Sequence, residues 1–168
     1  MSSKMSKRFA VSSGTAALVL AGILVLGFGS TAMAQSVDNG SNGLEGTWRA
    51  QVTVQDCQTG VTLRAFPAMF AFAKGGTVTF TTAGQLPSAA TPGLGSWHHM
   101  DGHTYSAVSE VFIFSLAGVW IQTHRFTRII EVNNDGNEYT DTIGLEIFNP
   151  TGNLIATGCG TTVANRLE

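Results

Sequence analysis

Charge is scarce in this chain. Only 12% of its 168 residues are Asp, Glu, Lys or Arg, with 9 cations against 11 anions. No basic cluster appears, so a nucleic-acid surface is not indicated, because phosphate binding needs grouped Lys and Arg. Cysteine is nearly absent. Cys57 and Cys159 are the two present, and neither sits in a CxxC or CxxH spacing, which argues against a zinc site. No Gly-x-Ser-x-Gly elbow and no HExxH helix occurs, so nucleophilic or zinc-dependent hydrolysis lacks its usual framework. A sustained helical period is missing after residue 43, and with it any glycine loop that could cradle a phosphate at a helix start. No catalytic residue, cofactor or metal is called for.

The one long apolar run lies near the start. Lys4, Lys7 and Arg8 precede an apolar stretch from Ala16 to Phe28, and Ala32-Met33-Ala34 supplies a small-x-small site before Gln35. These are the three parts of a secretory signal peptide over residues 1–34, with a helical apolar segment. The run is short for a bilayer span, which needs about 20 residues. Secretion or periplasmic residence is therefore expected, with no membrane association once the leader is removed. The mature chain would keep 6 cations against 11 anions, a net charge of about −5. It is too small for a Rossmann or TIM-barrel domain but large enough for one β-barrel or sandwich.

Residues 35–43 (QSVDNGSNG) read as a flexible linker, and residues 44–168 as one domain. That domain is a series of β-rich runs between turn signals: 47–56, 61–73, 77–82, 97–100, 103–114, 119–132, 138–148 and 154–164. Pro67 inside the second run cannot donate a ladder hydrogen bond and marks a bulge or an edge. Residues 84–96 hold two prolines and three glycines and read as the longest connection, suited to gating a ligand. Eight strands joined by short turns favour a closed, eight-stranded antiparallel up-and-down barrel, because closure removes exposed edges. A two-sheet sandwich is the alternative. In an oxidising compartment Cys57 and Cys159 would join the first strand to the last, two buried free thiols being the alternative.

Gly46-Thr47-Trp48 opening the first strand, with Arg166 just after the last, resembles the lipocalin and calycin barrels. There the tryptophan plugs the closed end and the arginine packs over it. The early and late cysteines and Gly95-Ser96-Trp97 are similar to a group of small secreted bacterial lipocalin-like proteins of unassigned function. More distantly, the chain resembles allene-oxide-cyclase-like barrels. The resemblance implies a calycin-like fold with Gly46, Trp48 and Arg166 in structural roles. It implies no particular ligand.

The Asp101-Gly102 turn sets a register in which Met100 faces His103 and His98 faces Tyr105. One face of the fourth to sixth strands then carries His98, Tyr105, Val111, Ile113, His124, Phe126 and Arg128. The other carries Trp97, His99, Glu110, Phe112, Phe114 and Arg125. A bulge would exchange these faces. With the second face inward, Trp97, His99, Phe112, Phe114 and Ile121 would line a lumen for a small apolar ligand. Glu110 and Arg125 would orient its polar end, or serve as an ion pair fixing strand register. His98 and His103 offer two ligands at most, too few for zinc. Both faces are rather apolar, which points to self-association as a homo-oligomer. The function expected is binding of a small hydrophobic ligand in the lumen. The alternatives are a cofactor-free isomerase or cyclase, or an interaction module with a filled barrel.

Overall fold

The computed structural model describes residues 43–167. The expected leader (1–34) and all but the last residue of the expected linker (35–43) lie outside them. Eight strands are present: β1 (Gly46–Gln55), β2 (Thr62–Ala73), β3 (Thr77–Thr82), β4 (Gly93–Asp101), β5 (Thr104–Phe114), β6 (Trp120–Val132), β7 (Glu138–Phe148) and β8 (Leu154–Arg166). Each pairs antiparallel with its sequence neighbour, and β8 returns to β1, so the sheet closes into an up-and-down barrel. Strand alternation explains the choice of faces. Along β1, Trp48, Ala50 and Val52 are buried while Thr47, Arg49 and Gln51 are exposed, the period-two pattern of a sheet with one wet side.

Pro67 stands opposite Gln51 in β1, and the β2–β3 ladder begins only at the next residue, Ala68. Its carbonyl accepts from Ala83 N on the β3 side, where its missing N–H costs no ladder bond. β4 differs from the sequence expectation. It starts at Gly93, not at Trp97, so the connection from β3 spans only 83–92. Two of the three glycines that suggest a loop, Gly93 and Gly95, are strand glycines at close contacts. A Cβ on Gly93 would lie 2.0 Å from the Phe80 ring, and one on Gly95 would lie 2.0 Å from Val108 O.

The β4–β5 register also differs. His99 pairs with Tyr105 and Asp101 with Thr104, with a shift at Met100. That extra residue turns Trp97 and His99 to the side of Tyr105, opposite to the face expected for them. The β5–β6 pairing is as expected, with Glu110 opposite Arg125.

One end of the barrel is plugged. Trp48 is fully buried and donates Nε1–H to Leu44 O at 2.9 Å. Its ring meets Tyr139 edge-on at 4.9 Å, and Phe72, Trp97 and Tyr105 continue the aromatic packing. Arg166 lies 4.2 Å over the Trp48 ring. Its guanidinium donates to the carbonyls of Gly136, Glu45 and Gly43. Gly46 has φ +124°, and a Cβ there would stand 2.6 Å from Arg166 Nη1, so both backbone and space require glycine. At the other end Cys57 and Cys159 form a disulfide with Cα atoms 5.3 Å apart, tying the β1–β2 turn to β8. A structural disulfide fits an oxidising, extracytoplasmic setting.

Candidate functional site

The end opposite the plug is hollow. A cavity of about 340 Å³ opens between the strand ends and the 83–92 connection. Its walls are largely apolar: Val52, Phe66, Ala68, Phe70 and Phe80 from β1 to β3, Val111 and Ile113 from β5, Phe126 from β6, and Ile143, Leu145 and Ile147 from β7. Leu86, Pro87, Ala90 and Pro92 form part of the rim. That rim is held to β5, since Thr91 N donates to Phe112 O and Phe114 N donates to Ala89 O. Gly84 lies flat against Phe66, where a Cβ would fall 2.7 Å from the ring.

The titratable groups lining the cavity are Arg64, His124 and Arg128; no carboxylate is among its lining residues. Arg64 is exposed at the mouth, stacks at 4.9 Å on Phe66, and donates Nη1–H to Gly84 O at 3.3 Å. His124 is half-buried and within 3.0 Å of Gln122 Oε1. Burial, and then the nearby Arg64 charge, hold its imidazole below the usual histidine range, which favours the neutral ring. Arg128 is deeper and only 4% exposed. Its Nη1 donates to Asp141 Oδ2 and, at 3.1 Å, to Thr162 Oγ1, and its guanidinium stacks 4.6 Å from the Phe70 centroid. Arg128 Nε, Asp141 Oδ1 and the Tyr139 hydroxyl are buried without a hydrogen-bond partner. Burial, followed by the Asp141 charge, pushes the Tyr139 phenol far above its usual range, so it stays protonated.

None of the seven residues expected to line the lumen is at this wall. Trp97 points inward but belongs to the plug, donating Nε1–H to Ala73 O at 3.1 Å. His99 sits by the β4–β5 turn, 5.0 Å from the Tyr105 ring and 2.9 Å from Gly102 O. Glu110 and Arg125 pair on the outside at 2.8 Å, with side chains 41% and 44% exposed. Phe112 is 47% exposed and packs on Trp120. Phe114 and Ile121 flank the register shift between β5 and β6. For the β5 and β6 residues the alternate face, with Val111, Ile113, His124, Phe126 and Arg128, turns inward; for Trp97 and His99 the shift at Met100 adds a second change of face. Two apolar faces made the choice ambiguous.

Asp141 and Thr162 escaped the sequence reading altogether. A signal existed for Asp141. It occupies an inward slot between Tyr139 and Ile143, as Arg128 does between Phe126 and Ile130. One charge of each sign, each placed within an apolar alternation, is the pattern of a buried pair. The histidines near the β4–β5 turn do not gather. His98 contacts Ser106 Oγ at 2.8 Å, and among the described residues no three His, Cys, Asp or Glu side chains converge. Comparison with protein-family models and with curated proteins found no match for this chain.

Proposed function

We propose that this protein is an extracytoplasmic binding protein that holds a small, largely apolar molecule in the open half of its barrel. The observation that carries the reading is the cavity of about 340 Å³, apolar-walled and open at one end, in a barrel whose other end is filled. That volume lies within the ~300–1,000 Å³ range of small-molecule sites. The disulfide and the signal-peptide pattern support export. Exposed Phe112, Ile129 and Val163 on the outer face support self-association as well.

The test is native mass spectrometry of the protein purified from its own host without detergent. An excess mass that disappears on denaturation is expected, and the same spectrum gives the oligomer number. In parallel, an apolar fluorescent probe should bind the wild type and be excluded by Val111→Trp, which fills the cavity. A clean apo mass together with probe binding that ignores Val111→Trp would reject the reading in favour of a structural barrel.

A further inference from the structure

The two ends of the barrel meet solvent with different chemistry. Because the strands run up and down, the β1–β2, β3–β4, β5–β6 and β7–β8 connections all lie at the open end and ring its mouth. At each of the four a large aliphatic side chain faces water: Val61, Leu86, Leu116 with Val119, and Leu154. All are more than half exposed, and Leu116 is 92% exposed. Single exposed aliphatics are ordinary, but one at every tip around a single opening is a contiguous feature of the surface. Trp120, the first residue of β6, stands at the same end and donates Nε1–H to Gln122 O at 2.8 Å, so its ring carries no unpaired donor. The three turns at the plugged end each hold or adjoin a charged residue: Lys74, Asp101 and Asp135. Across residues 56–61, 83–92, 115–119 and 149–153, by contrast, the one charged side chain is Asp56. Its carboxylate is folded into its own turn, accepting from Gln58 N, Thr59 N and Thr59 Oγ1.

We propose that the open end docks on the surface of a phospholipid bilayer, with the four tips in the interface and the mouth facing the lipid. The charge pattern selects this occupant. Moving a charge into a medium of low dielectric is costly, so the uncharged end enters the interface and the charged end stays in water. The aliphatic tips contribute through the apolar area they bury there, and an indole such as Trp120 suits the headgroup level. A second copy fits less well. Protein interfaces need a closely packed centre, and here the centre of the ring is the cavity mouth. Fluid lipid fills between separate tips without such a match. Arg64 at the mouth is already engaged on Phe66 and Gly84 O, and attraction to anionic headgroups needs several Lys or Arg together. The inference goes beyond lumenal binding and does not rest on it, since Val61, Leu116, Val119 and Leu154 stand outside the cavity lining. It departs from the expectation, drawn from the leader, that the mature chain stays off membranes. Docking by loop tips needs neither a spanning helix nor an anchor.

The test is flotation of the exported protein with extruded vesicles. It should float with vesicles of phosphatidylcholine alone, and added phosphatidylglycerol should not strengthen the binding. Leu116→Asn should weaken partitioning about fivefold or more, and Leu116→Asn with Leu154→Asn about twentyfold or more. Both side chains stand in water, so an unchanged urea midpoint is expected and separates lost docking from lost folding. Val163→Thr, on the outer wall of the plugged half, should leave partitioning unchanged. Orientation is read from the tryptophans. Trp48 and Trp97 belong to the plug and Trp120 to the open end, so vesicles of brominated phosphatidylcholine should quench the wild type and leave Trp120→Phe unquenched. Quenching kept in Trp120→Phe would mean that the plugged end meets the lipid, and would overturn the orientation. Absence of flotation, or flotation that ignores both leucine variants, overturns docking. A concentration-dependent dimer that the leucine variants abolish, with no vesicle bound, overturns it in favour of an interface between copies. Val111→Trp keeps the two readings apart, because it should lose the fluorescent probe and float as the wild type does. Flotation by a wild type that binds no probe leaves docking standing and rejects lumenal binding.

Discussion

The two ends of this barrel each place an arginine on an aromatic ring, and they use it in opposite ways. Arg166 lies 4.2 Å from the Trp48 ring and Arg128 lies 4.6 Å from Phe70. At the plugged end all three guanidinium nitrogens of Arg166 donate to backbone carbonyls, so the arginine acts as mortar between the first strand, the last strand and the β6–β7 turn. At the open end Arg128 is the more deeply buried, yet one of its nitrogens has no partner and space lies beside it. The first arginine closes its end of the barrel, while the second leaves a donor without a partner near open space. The same eight strands thus separate a filled end from a hollow one along the barrel axis.

The largest expected effect sharpens this contrast. The hollow end lacks the packing of the plug and is stapled covalently instead. Replacing Cys57 and Cys159 by serine releases a loop whose ends are 102 residues apart. In the chain-entropy model that costs about 4–5 kcal/mol. Urea unfolding should show the loss as a lower midpoint with the plug's near-ultraviolet aromatic signal intact in the folded baseline. A loss of under about 1 kcal/mol would mean that the open end is held by packing after all. Next in size is Arg166→Met, expected to cost about 2–3 kcal/mol because charge-assisted bonds to three carbonyls are lost. Affinity for a lumenal probe should not change. If it does, the two ends are coupled and the division fails.

The architecture was legible in the sequence because its signals are local. Turn residues, period-two alternation and a pair of cysteines, one after the first strand and one in the last, sufficed to give eight strands, closure and the disulfide. The site was not legible, because it depends on which face turns inward, and that is decided by one residue of slip. Met100 is the extra residue that turns Trp97 into the plug and His99 to the side of Tyr105. Phe112, exposed on the outside, is as apolar as Val111 and Ile113 inside, so composition could not choose between the faces of β5. Gly93 and Gly95 misled for a related reason. Glycine in a strand marks a close approach as readily as a turn, and only the partner, Phe80 or Val108, tells which.

A smaller effect tests whether the open half is as dry as its walls suggest. His124 sits in the cavity with its folded-state pKa lowered by burial, and then by Arg64, from a value near 6.5 in the unfolded chain. Above about pH 6.5 the ring is neutral in both states and the full stability is present. As the pH falls below that, the unfolded chain takes up a proton that the folded chain resists, so stability declines until the folded-state pKa is passed. Between pH 7.5 and 5.5 the urea midpoint of wild type should therefore fall more than that of His124→Phe. Equal falls would mean that water reaches the ring freely and that the open half is wet at His124.

The smallest expected effect lies on the outer face, and it is the sharpest test of the separation between wall and surface. Glu110 faces Arg125 across the β5–β6 ladder at 2.8 Å, but both side chains are more than two-fifths exposed. An exposed pair of this kind contributes about 0–1 kcal/mol, because water screens it and two long side chains must be held still. Arg125 keeps a second contact, over the Phe148 ring at 5.0 Å, which does not depend on Glu110. Glu110→Gln should therefore shift stability by no more than about 0.5 kcal/mol and leave probe affinity within error. A drop in affinity would be informative out of proportion to its size. Glu110 alternates with the inward Ser109 and Val111 on the same strand, and it does not touch the cavity. Only a change in the β5–β6 register could carry its loss through the sheet to Val111, His124 and Arg128, and the inner and outer faces would then act as one element.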